Sequence, residues 1–197
     1  MKRLFAILAL ALSLSACDEF KDLAEAPAPM GDFLLGHNIV VAPDPEIGPL
    51  SRKADEEEWK ASMNAAIAER FGRYDGDHYY HIAVKVEGYV LAFPGVPFVA
   101  SPKSVLILGV TLWDDAEGTK INAEPKRFVA FERLSEKTFL SSGLFQNKET
   151  QMSNLSRSAA KMIHDWMLEH PEWFGGEPLE TEETEATEPR KDWSKSN

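Results

Sequence analysis

Between Tyr80 and Glu87 the chain alternates Tyr80, Ile82, Val84 and Val86 with His81, Ala83, Lys85 and Glu87. This period of two predicts a half-buried strand running up to Gly88. Phe33 to Ala42 is rich in Val, Ile and Leu and stops at Pro43-Asp44-Pro45, which predicts another strand. Two more are expected over Val105 to Trp113 and Arg127 to Arg133, with Asp114-Asp115-Ala116-Glu117-Gly118 as the hairpin turn after the first of them.

A period of 3.6 replaces the period of two in two places. Asp55 with Glu58 three residues later resembles a capping box, and Trp59, Met63, Ala66 and Ile67 then recur on one face until Phe71-Gly72. The second helix is more sharply sided. Met152, Leu155, Ala159, Met162, Ile163, Trp166 and Met167 form one stripe, whereas Lys148, Arg157, Lys161, His164, Asp165 and Glu169 lie opposite. His170-Pro171 ends it. The order is β-α-β-β-β-α, an α+β single domain with two helices packed on one face of a four-stranded mixed sheet.

The first sixteen residues belong to neither pattern. Lys2 and Arg3 precede an apolar run from Leu4 to Leu14, which at about 1.5 Å per residue covers roughly 17 Å of a ~30 Å hydrocarbon core. It is too short for a spanning helix and suits an export signal. Leu14-Ser15-Ala16-Cys17 resembles the lipobox of bacterial lipoproteins. The resemblance implies a diacylglyceryl thioether on Cys17, cleavage before it, acylation of the new amino group and a permanent membrane anchor. Cys17 is the chain's single cysteine, so the core must hold without disulfides. Asp18 and Glu19 resemble the inner-membrane retention signal of enterobacterial-type lipoproteins, on the periplasmic side; an outer-membrane site is the alternative.

Cleavage would remove Lys2 and Arg3 from 21 basic residues, leaving 19 against 32 acids and a net charge of −13. That balance argues against a nucleic-acid partner and against attraction to anionic headgroups. Residues 17–32 read as a lipid-anchored flexible tether, 33–174 as the globular domain, and 175–197, with Glu177, Glu180, Glu182, Glu183, Glu185 and Glu188, as an acidic disordered tail.

Chemical motifs are sparse. Asp75, Asp77, His78 and His81 have metal-ligand chemistry, but Asp-Gly-Asp equally suits a turn between helix and strand. Asp114, Asp115 and Glu117 read as turn formers beside Gly118, and His164 as a solvated side chain on a polar helix face. No catalytic residue, metal site or cofactor is expected, and the chain reads as a non-enzyme.

A surplus of apolar surface carries the functional expectation. Leu106, Leu108, Val110 and Leu112 fill one face of their strand, yet Val105, Ile107 and Trp113 occupy the other, and helices on one side cover only one face. The Phe93-Pro94-Gly95-Val96-Pro97-Phe98-Val99 loop could fold back on that surface as a plug. Otherwise Phe93, Phe98 and Trp113 are the expected anchors for an envelope protein partner, a second copy or an apolar ligand. The architecture resembles the accessory lipoproteins of envelope assembly and of ABC transport, implying a non-enzymatic accessory or interaction role in the cell envelope. A lipid or small apolar ligand binding module is the alternative, and a hydrolase a distant third.

Overall fold

The computed structural model describes residues 21–93, 104–132 and 147–176. Residues 1–20, with the expected export signal and Cys17, residues 94–103, with Phe98, residues 133–146 and the expected tail from 177 onward lie outside the described residues.

The described chain is one α+β domain in the order expected. Strands β1 (Phe33–Val41), β2 (Glu46–Ile47), β3 (His78–Val90), β4 (Val105–Asp114), β5 (Thr119–Lys120) and β6 (Lys126–Phe131) form one sheet. Helices α1 (Glu56–Phe71) and α2 (Lys148–Leu168) lie against it. Its four long strands run β1-β3-β4-β6, with β1 and β3 parallel and the remaining pairs antiparallel. The two-residue strands β2 and β5 add to the four expected: β2 extends the far end of β3, and β5 closes the turn after β4.

The core lies between the helices and one sheet face. Ile82, Val84 and Val86 from β3, Leu106, Leu108, Val110 and Leu112 from β4, and Phe128 and Ala130 from β6 are buried there. Trp59, Met63, Ile67 and Phe71 from α1 and Leu155, Ala159, Ile163, Trp166 and Met167 from α2 meet them. Asp55 accepts from the Glu58 amide at 2.8 Å while the Glu58 carboxylate accepts from the Asp55 amide at 2.9 Å, so the capping box forms as read.

Two bulges decide which side chains reach that core. In β3 the register slips between Val86 and Gly88, so Tyr89 and Leu91 face inward although they break the parity set by Ile82 and Val84. The strand therefore continues past Gly88 to Val90, and Tyr89 packs on Trp59 with ring centroids 5.1 Å apart. A slip between Leu35 and Asn38 does the same in β1, turning Phe33 and Val40 to the same side.

The helices run parallel to each other. Glu58 pairs with Lys148 at 2.5 Å, Ser62 Oγ meets Ser156 Oγ at 2.8 Å, and the Tyr74 hydroxyl, three residues past α1, meets His164 at 2.6 Å. Both carboxyl ends thus gather where β1 and β3 begin and β4 finishes. We refer to this as the lower end; the upper end holds Val90, Val105 and Phe131.

Candidate functional site

The sheet face turned away from the helices is uncovered by the described residues. Ile39, Val41, Val129 and Phe131 are exposed on it, and Phe131, on the edge strand, is 54% exposed. This face is not one apolar patch. Lys85, Gly109 and Arg127 lie in one cross-strand row, and Arg127 pairs with Glu87 at 3.0 Å, so charge crosses the middle of the sheet. Above it sit Val105, Ile107, Val129 and Phe131, and below it Ile39, Ala83, Thr111 and Trp113.

That division separates the expected anchors. Phe93 follows Val90 at the upper end and is half exposed, whereas Trp113 pairs with His81 at the lower end, under the Lys120 ammonium 5.8 Å from its ring. Val90 is level with Val105, and the eight residue steps of β4 from there to Trp113 span about 26 Å at ~3.3 Å each. Phe93 and Trp113 therefore lie at opposite ends of the sheet and do not form one surface. A groove of about 390 Å³ opens elsewhere, on the helical side, between Ala61, Ser62 and Ala65 of α1 and Met152, Ser153 and Arg157 of α2.

The acid and imidazole groups around Asp77 are used to close the fold. His78 Nδ1 lies 2.7 Å from Asp32 Oδ2, and Asp32 Oδ1 accepts from the Asp77 amide at 2.7 Å. His81 takes different partners: Nδ1 accepts from the His37 amide at 2.9 Å and Nε2 lies 2.9 Å from Asp115 Oδ1. Among the described residues no three His, Cys, Asp or Glu side chains converge as a metal site. Asp114 accepts from the Glu117 amide at 3.0 Å, the hydrogen bond of a turn.

His164 departs from expectation. It is buried, 8% exposed, rather than solvated. The cause is a second inward series, Met152, Ser156, Ala160 and His164 at intervals of four, whose small members let α1 approach. Burial, reinforced by the Arg70 charge, pushes the imidazole pKa down from 6.5 to about 4, against the opposing pull of Asp165.

Around His164 the segment preceding β1 is fastened to the domain. Arg70, buried at the end of α1, pairs through Nη1 with Asp22 Oδ2 at 2.7 Å. Burial favours protonated Asp22, but the Arg70 hydrogen bond and charge outweigh it and lower the Asp22 pKa. Arg73 donates to the Asp22 and Leu23 carbonyls at 3.1 and 2.8 Å. Tyr74 donates to the Ala28 carbonyl at 2.9 Å, so its oxygen accepts from His164 Nε2–H. Met30 is buried in the core, and Gly31, at φ +57°, turns the chain so that the Asp32 amide donates to the Phe174 carbonyl at 2.8 Å. Residues 22–32, expected as part of a free tether, are thus fastened at both ends, at Asp22 and Leu23 by two arginines and from Ala28 to Asp32 by Tyr74, the core pocket of Met30 and the Phe174 carbonyl, while residues 24–26 between them are exposed.

No protein-family model matches the chain, and no curated protein matches it in sequence. Solved structures with some likeness include a hypothetical protein of Chlamydia trachomatis, with 11% identity over 71% of this chain and 98% of that one, at a TM-score of 0.40. A Xanthomonas campestris protein of the DUF330 family has 12% identity over 74% and 94%, at 0.39. A minor lipoprotein from Acinetobacter baumannii has 15% identity over 66% and 92%, at 0.30. Scores this low carry neither activity nor partner across.

Proposed function

We propose that this chain is a membrane-anchored bacterial lipoprotein that works by binding in the cell envelope, without catalysis. The observation that carries the anchor is Leu14-Ser15-Ala16-Cys17 at the end of an apolar run too short to span. Among the described residues no helix is long and apolar enough to cross a membrane, which fits attachment by acyl chains on Cys17. The anchor lies on the periplasmic side, and Asp18 and Glu19 favour the inner membrane over the outer one.

Exposed Val129 and Phe131 beside half-buried Val105 and Ile107 support the binding role, since an apolar cluster rimmed by Lys126 and Arg127 on a strand that is the sheet edge among the described residues suits a protein partner. Photo-crosslinkers placed in living cells at Phe131 and, as a control, at Glu117 test this. A discrete adduct from position 131 alone supports a specific upper-end partner. No adduct, or equal labelling from both positions, contradicts it.

A further inference from the structure

Five residue steps separate Cys17 from Asp22, and Asp22 is already clamped to the domain. We infer that the Asp22–Asp32 strap moors the domain with its lower end against the bilayer and its upper end pointing away, an orientation that rests on the Cys17 anchor. Among the described residues the strap meets the domain at the lower end: Asp22 and Leu23 at Arg70 and Arg73, Ala28 at Tyr74, Gly31 and Asp32 beside Phe174, His78 and Asp77. Five steps reach at most about 18 Å fully extended and roughly 12 Å as a coil, so the Arg70 corner cannot drift far from the headgroups. A free coil from Cys17 to Phe33 would instead let the domain tumble and present either end. From the level of Tyr80 and Asp114 to that of Gly88 and Ile107 the sheet rises about 23 Å, seven steps of β4, which carries the Val105–Phe131 cluster away from the bilayer and toward soluble or opposing-membrane partners.

The short anchor, rather than attraction to headgroups, holds the lower end near the lipid surface, and proximity there is measurable. In the acylated full-length protein Cys17 is blocked, so a single added cysteine takes a fluorophore: Glu117→Cys in the lower turn or Glu46→Cys on β2 at the upper end. Each is reconstituted into phosphatidylethanolamine–phosphatidylglycerol vesicles carrying nitroxide-headgroup lipid. Mooring predicts quenching at least twofold stronger at position 117 than at 46. Arg73→Ala combined with Asp22→Asn frees the chain as far as Ala28 and should weaken the signal at 117 relative to 46. If that pair unfolds the domain, a ten-residue Gly-Ser insertion after Phe20 lengthens the anchor while leaving every clamp contact intact, and it should weaken the signal at 117. Equal quenching at both positions in a protein that floats with the vesicles overturns the mooring alone. A protein that does not float overturns the anchor on which the mooring rests, and the mooring with it.

Discussion

The Tyr74 hydroxyl lies 2.6 Å from His164 Nε2 and 2.9 Å from the Ala28 carbonyl, linking a buried imidazole of α2 to the strap through one oxygen. Tyr74 can donate only once. With that proton on Ala28, His164 is the Nε2–H tautomer, and its buried Nδ1, without a hydrogen-bond partner, carries a lone pair rather than an orphan N–H. Protonating Nδ1 would set a third positive charge beside those of Arg70 and Lys161, with Asp165 Oδ1 3.8 Å away as the opposing charge.

Stability should therefore fall in acid. His164 has a folded pKa near 4 against 6.5 unfolded, so folding favours the neutral ring; its contribution is complete above 6.5 and is lost as pH drops toward 4. The loss is at most about 3 kcal/mol, less where solvent reaches the ring edge. Asp22, with its lowered pKa, adds a further loss below its ordinary 3.8. Urea midpoints measured from pH 7 to 4 should fall for the wild type and stay nearly level for His164→Gln, which keeps a donor toward Tyr74. Parallel curves would show that His164 does not titrate in this window.

Asp22→Ala should destabilise by about 2 kcal/mol, since it leaves the Arg70 guanidinium buried without the carboxylate it pairs with. Replacing both partners, Asp22→Ala with Arg70→Met, should cost less than the sum of the two single changes. Additive costs in chemical denaturation would mean that the pair does not hold the strap.

Trp166→Ala should cost about 3–5 kcal/mol. The indole lies 7% exposed, edge-on to Phe128 at 5.6 Å and to Trp173 at 5.1 Å, so its loss opens a cavity between α2, β6 and the segment after the helix. Phe131→Ala, on the open face, should by contrast move the melting temperature by no more than a degree or two. A large drop from Phe131→Ala would show that the open face is internal.

The alternation from Tyr80 to Val86 and the stripe through Trp166 were legible because one face of each element meets the core. What escaped has physical causes. Tyr89 and Leu91 sit beyond a bulge, and parity extrapolated from Val86 assigns them to the wrong face. His164 looked polar on a helical wheel drawn for one buried side, yet α2 packs against both the sheet and α1; the small Ala160 and Ser156 four and eight residues earlier were the available signal. The strap carries Pro27 and Pro29 and no periodicity, and its hold depends on Arg70, Arg73 and Tyr74, some fifty residues away. Phe93 and Trp113 were grouped by their aromatic character, while pairing along β4 sets them at opposite ends.

The anchor is tested most directly by the intact mass of the protein extracted from native membranes, with sequencing of its first peptide. The account predicts a chain that begins at Cys17, carries a diacylglyceryl group on Sγ and an acyl group on the new amino terminus, and is lost from the membrane in Cys17→Ala. A membrane-bound protein that retains residues 1–16, or has a free thiol at Cys17, would contradict it.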